Sequence, residues 1–484
     1  MLPDTDAVTG SVNETTTLPQ RSRAGCQQCR RRRRKCDEQR LCCSGCLERN
    51  LICNWQRGMT NDARVSRRKP KYNKDFALPH EMGPLTTVFA APPGPIVQRL
   101  VSHFCVTSPL WLTIGGNKNV ATCLRLVMPA LKRSPLVLDC VLAVAAGDLS
   151  KYQPASSDMT NLSYGFYGQA VTGLQSALKR ESRSATSFIH SDDTLLAIIL
   201  LCVHEAVNFT HSDRMFPHIN AAAVMCYNRS FSVAEDPPLR GLLFEIFCYI
   251  FTLTAFSHGR NLQLPLALQV FNSPFLLGSQ YQGVLLGVSL ELFSMILRVS
   301  ILTSKITFPS LLNAATSTEL EHIETQLRNW QLPRPADDTN DQPAVDESIT
   351  SELYRLACLI HVKRIRRPDL ALQSSEIQGL LLKFIAGLNT LPPTSPANGI
   401  LCWPLVVAGM CAVVISHRRL IVGRLRKNHE TWRSDILSKS ADLLCREWRE
   451  DKPAGGCWSR NVEGECLITP EAAMHPFEFP IILV

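Results

Sequence analysis

The sequence predicts a small metal-folded module of two short helix–loop halves, followed by a large all-α body. Three observations predict it. The first is charge: the 484 residues hold 51 Lys+Arg and 42 Asp+Glu, but residues 1–75 carry 17 of the cations and only 8 of the acids, which leaves 34 of each in the remaining 409. The second is cysteine placement: of 19 cysteines, seven (Cys26, Cys29, Cys36, Cys42, Cys43, Cys46, Cys53) fall within 28 residues. The third is periodicity: from Ile96 onward apolar residues recur at spacings of three and four, without the two-residue alternation and tight Gly turns of a sheet protein. A basic end on a neutral body is the footprint of a polyanion-binding segment. The 45% hydrophobic content excludes a wholly disordered chain, a collagen-like repeat and a small disulfide scaffold.

Residues 1–20 are polar, lack apolar periodicity and read as a disordered tail without the apolar stretch of a secretory signal. In a chain that is not exported, thiols stay reduced, so the cysteine cluster reads as a metal site rather than a set of disulfides. Residues 21–57 form the cysteine module, and residues 58–95 form a linker. The linker is first basic (Arg64, Arg67, Arg68, Lys69, Lys71, Lys74) and then rich in proline. Its basic half suits nuclear import, with backbone phosphate contacts in addition.

Residues 96–484 form the helical body. The start signal Thr316-Ser317-Thr318 precedes Leu320, Ile323, Leu327 and Trp330 at helical spacing, and Ser191-Asp192-Asp193-Thr194 offers caps to Leu195–Asn208. Pro237-Pro238 opens and Gly259 closes a long apolar segment. The apolar runs Leu242–Phe256 and Ile400–Ile415 fall short of the roughly 20 residues of a bilayer span and read as buried helices. The acidic stretch Pro333–Ser348 reads as a surface loop.

The module carries the chemistry. Cys26, Cys29 and Cys36 are spaced C-x2-C-x6-C. With Cys43 as the next ligand, Cys43, Cys46 and Cys53 repeat that spacing, and Cys42 is the odd one out. Zn²⁺ takes four tetrahedral ligands. Six thiolates supply the eight positions of two ions only if two sulfurs bridge both. A segment this short has almost no core, so metal binding of about 10–16 kcal/mol per ion must supply its folding energy.

At these residues the segment resembles the fungal Zn(2)-Cys(6) binuclear cluster. The likeness spans residues 22–57 and includes the spacing of all six cysteines, the basic run after Cys29, Lys35-Cys36-Asp37 and the Asn54-Trp55 exit. The resemblance implies two Zn²⁺ per chain, held by Cys26, Cys29, Cys36, Cys43, Cys46 and Cys53, with Cys26 and Cys43 as the bridges. It also implies that Arg32 and Arg33 read CGG-like triplets of double-stranded DNA. One position departs from the family: Leu41 stands where a proline is usual, two residues before Cys43.

The charge pattern points the same way independently. Arg30, Arg31, Arg32, Arg33, Arg34 and Lys35 are six consecutive cations that cannot share one face of a short helix, so some meet bases and the rest flank phosphates. Two Zn²⁺ and six thiolates sum to −2, whereas residues 21–74 hold 17 cations against 4 acids.

Residues 54–95 offer no apolar heptad, so dimerisation, if any, belongs to the body. The body resembles the fungal-specific transcription factor domain at Asp193–Val207, His218–Ala222 and Trp403-Pro404-Leu405 through Gly409. His204-Glu205 starts an H-E-x-x-H pattern that Asn208 breaks, and no nucleophile elbow or phosphate loop occurs. His218 and the twelve scattered cysteines read as packing residues. The expected function is a nuclear, non-enzymatic, DNA-binding transcription regulator of RNA polymerase II-type genes that contacts the transcription machinery and no membrane. The resemblance implies a pathway-specific regulator, for example of a secondary-metabolite gene set. The competing reading is a small-molecule sensor or enzyme-like body that the basic N-terminus merely addresses to the nucleus.

Overall fold

The computed structural model describes residues 27–34, 36 and 49, then 94–107, 117–152, 157–183, 192–208, 214–231, 234, 236–278, 283, 285, 290–304, 313–332 and 342–448. The chain divides into two units, residues 1–67 and 68–484. The tail 1–20, the linker cations Arg64 to Lys74 and the segment Phe477–Val484 lie outside the described residues. In the first unit the described helix is α1 (Gln27–Arg31).

The second unit is all-α among its described residues. Its helices are α2 (Pro95–Thr107), α3 (Asn117–Arg133), α4 (Pro135–Tyr152), α5 (Ser157–Arg183), α6 (Asp192–Asn208), α7 (Met215–Arg229), α8 (Pro237–His258), α9 (Leu264–Phe271) and α10 (Pro274–Gly278). They are followed by α11 (Leu290–Ser304), α12 (Ala314–Asn329), α13 (Gln342–Arg366), α14 (Ser375–Thr390), α15 (Cys402–Met410), α16 (Ile415–Trp432) and α17 (Asp435–Glu447). One contiguous apolar core runs from Leu100 in α2 to Leu444 in α17.

Helix α8 shows how sequence becomes core. Asp236 caps it by accepting the Leu239 N–H at 3.0 Å, and Pro237 and Pro238 occupy first-turn positions where no N–H is needed. Every residue from Leu239 to Phe256 is buried, against α6, α7, α9 and α11. The helix extends beyond the apolar run seen in sequence, and its 22 residues are long and apolar enough to cross a membrane. The whole of its apolar window lies inside the body instead. The second apolar run is broken: a 3₁₀ turn at Pro396–Ile400 precedes α15, and α16 begins at Ile415. Trp403 of α15 is fully buried, stacked on Tyr354 of α13 at 5.6 Å and edge-on to Phe256 of α8 at 5.4 Å.

Buried charge ties neighbouring helices. Asp192, in the first turn of α6, accepts from Arg229 Nη1 of α7 at 3.2 Å and Arg240 Nε of α8 at 3.2 Å, and all three residues are buried. Such groups fix register more than they add stability, because desolvation cancels much of the attraction.

Two boundaries differ from the sequence reading. Helix α12 starts upstream of Thr316, because the Asn313 side chain accepts the Thr316 N–H at 2.7 Å and acts as the cap. The stretch read as a loop to Ser348 is helical from Gln342. Pro343 sits in the first turn, and Gln342 Nε2 donates to Asp346 Oδ1 at 2.7 Å, a bond one helical turn long.

Candidate metal centre and nucleic-acid interface

Helix α1 runs from Gln27 to Arg31 and brings Cys29 into its turn. It ends in a Schellman motif: the Arg34 N–H donates to Cys29 O at 3.0 Å and the Arg33 N–H donates to Arg30 O at 3.1 Å. The residue between these bonds must take a left-handed conformation, and Arg33 does so with φ 53°. Glycine is the usual occupant of that position, because a Cβ there costs about 1–2 kcal/mol.

Cys29 is 2% exposed and Cys36 6% exposed, whereas Arg30, Arg31, Arg33 and Arg34 are exposed and Arg32 is half-buried. Among the described residues of this unit the two cysteines are the only buried side chains. A segment without an apolar core that turns two thiols inward and its guanidiniums outward fits sulfur ligation of a shared metal centre. Cys26, Cys42, Cys43, Cys46, Cys53 and Lys35 lie outside the described residues.

No group of three or more His, Cys, Asp or Glu side chains in the described residues can hold a metal. The described body cysteines are buried except Cys445, which is half-buried. Burial pushes the thiol pKa of Cys105 up to about 11 and of Cys402 up to about 12, so both stay protonated and unreactive. The packing role read for them from sequence therefore holds at these positions. Sequence treated His204 and His218 separately, one as a failed motif and one as packing. The fold brings them together with Ser163, Tyr167 and Glu205 across α5, α6 and α7. Only the apolar neighbours of His204 hinted at its burial.

A basic, cysteine-bearing module and an all-α body together point to a class of regulatory protein. Residues 24–61 match the fungal Zn(2)-Cys(6) binuclear cluster domain, and residues 99–461 match the fungal specific transcription factor domain. The second match covers well over half of the chain, which belongs to that family. The cluster domain binds two zinc ions.

The chain is 31% identical over 153 residues to a Zn(2)-C6 fungal-type transcription factor, afumD, of Aspergillus fumigatus, a match covering 31% of this chain and 39% of that protein. It is 41% identical over 58 residues to the transcriptional regulatory protein pro1 of Neurospora crassa, covering 12% of this chain and 8% of that one. The chain thus spans well under two thirds of the curated relatives it matches. No solved structure matches it.

Proposed function

We propose that the chain is a nuclear regulator of transcription that binds double-stranded DNA through residues 21–57. In this reading Cys26, Cys29, Cys36, Cys43, Cys46 and Cys53 hold two Zn²⁺ ions, which cross-link a segment too small to fold on apolar burial. The observation that carries it is the division of labour around α1: two inward thiols within a run of outward guanidiniums. Arg32 and Arg33, both in the turn after α1, read guanine O6 and N7. Arg30, Arg31, Arg34 and Lys35 neutralise phosphates, and the cations from Arg64 to Lys74 add to that field and serve import. The helical body supplies regulation, partner contact and any homodimerisation. It has no catalytic task, and the regulated genes form one pathway, such as a secondary-metabolite set.

The test uses the zinc-loaded full chain and a library of randomised duplexes. Selection should yield CGG-like triplets, and removing residues 1–57 should abolish both binding and regulated transcription. Regulated transcription that survives the deletion would move the activity to the body.

A further inference from the structure

Helix α7 turns an apolar face to solvent. Its inner side, with Met215, Ile219, Ala222 and Cys226, is buried, and the helix packs on α6, α8 and α9. Its outer side carries Pro217, Ala221, Val224 and Tyr227 at spacings of three and four. Ser230 keeps a helical conformation, φ −58° and ψ −22°, so Phe231 continues the stripe with its ring edge-on to Tyr227 at 5.4 Å. Val224 is 42% exposed, and Phe231, at 68%, is the most exposed large apolar side chain among the described residues. Pro217 is exposed as well, and Ala221 and Tyr227 are half-buried.

What this face lacks selects its partner. From Met215 to Asn228 there is no Lys, Arg, Asp or Glu, and His218 is engaged within the body, its Nε2 3.0 Å from the Tyr167 hydroxyl of α5. The outer side of α12, by contrast, holds Glu319, Glu321 and Arg328. A surface helix ordinarily carries charge on its solvent side, whereas the core of an interface is depleted of charge and enriched in aromatic residues. A strongly charged partner finds nothing to pair with here. A second copy of the chain needs no such pairing, because a two-fold interface sets the same surface against itself. An uncharged surface does so without repulsion.

The stripe also fits itself. Phe231 lies as far after Val224 as Pro217 lies before it, and Tyr227 as far after as Ala221 lies before. In an antiparallel pair whose two-fold axis passes at Val224, each Phe231 ring meets Pro217 of the second copy and each Tyr227 meets its Ala221. Bulky side chains then lie over small ones along the whole contact. We propose that two copies of this chain pair through α7, antiparallel and two-fold symmetric about Val224. The inference rests on the reading that the body supplies homodimerisation, and it does not depend on DNA. A contact of about 20 Å at ~1.5 Å per residue is at the small end of specific interfaces, so pairing is reversible and follows concentration.

The experiment follows sedimentation of the zinc-loaded full chain, without DNA, over a range of concentrations, and a monomer–dimer equilibrium is expected. Val224→Glu and Val224→Lys each set like charges against one another at the axis and should each weaken pairing at least ~tenfold. Mixed in equal amounts, the two variants should pair again, because glutamate then faces lysine. Phe231→Ala removes a ring at the most exposed position without adding charge and should weaken pairing too. Leu382→Glu, at an exposed apolar position on α14, should leave it unchanged. A chain that stays monomeric, a dimer indifferent to the Val224 and Phe231 variants, or Val224 variants that do not rescue each other would overturn the proposal. Triplet selection tests the DNA reading separately, since a monomer can pass it and an intact dimer can fail it.

Discussion

Replacing Arg33 by glycine and, separately, by alanine separates what this position does for the backbone from what it does for DNA. Arg33 holds φ 53° between the two bonds that close α1. For any residue with a Cβ that conformation costs about 1–2 kcal/mol, which alanine retains and glycine relieves. Glycine also gains freedom in the unfolded chain, worth about 0.5–1 kcal/mol in the opposite sense. The net expectation is a module that is more stable with glycine than with alanine by at most about 1.5 kcal/mol, or ~12-fold. The guanidinium is lost in both. If it makes a bidentate guanine contact, both variants lose about 1–3 kcal/mol of discrimination, or ~5- to 150-fold, for the preferred triplet. Zinc retention against a graded chelator reads the first effect in the full chain, and titration of preferred against scrambled duplex reads the second. A glycine variant that holds zinc less well than alanine would refute the left-handed assignment. Discrimination that survives both changes would refute the role of Arg33.

Metal analysis of the zinc-loaded chain should find two Zn per molecule, and chelation should abolish DNA binding; a ratio near one or binding that persists contradicts the binuclear reading. Affinity should fall with salt by a log–log slope of about −0.9 for each phosphate neutralised, measured by titration between 50 and about 200 mM salt, and a flat response contradicts the electrostatic reading. Burial opposes ionisation of Glu324, yet hydrogen bonds from Arg328, Arg366 and Lys363 overcome it and hold its carboxyl at about 2. A depressed folded pKa gives stability that is present above the unfolded value near about 4.3 and is lost as pH falls through about 2. Glu324→Gln should therefore cost about 2 kcal/mol near neutral pH and remove that part of the acid dependence, as read by denaturant melts at several pH values. A Cβ at Gly409 would lie 2.5 Å from Leu444 Cδ1, a side chain with no exposed surface. Gly409→Ala should therefore destabilise the body by about 1–3 kcal/mol in the same assay, despite alanine's better helix propensity.

How much of this was legible in the sequence depends on the range of the interaction concerned. The repeated C-x2-C-x6-C spacing is local, and so is the helical periodicity. Pro237, Pro238 and Gly259 marked the ends of α8 because they act on their own backbone. Arg33 was not legible as a left-handed residue, because the usual signal is glycine and its absence hid the turn. Asn313 was passed over in favour of Thr316-Ser317-Thr318, although its side chain makes the cap. The helical start at Gln342 was masked by proline and acidic residues, which suit a first turn as well as a loop. The contact of His204 with Ser163 was beyond reach altogether, since it joins residues 41 positions apart on different helices.

The two units draw stability from different sources, and that difference bears on how such a protein can be regulated. The body buries α8 completely and a core that runs from α2 to α17. Burial on that scale is distributed, so no single contact decides whether it folds. Around α1 the described residues bury two thiols and no other side chain. Among those residues ligation is the interaction that offsets backbone entropy. Folding of the DNA reader is thus tied to zinc supply, whereas the fold of the body is not.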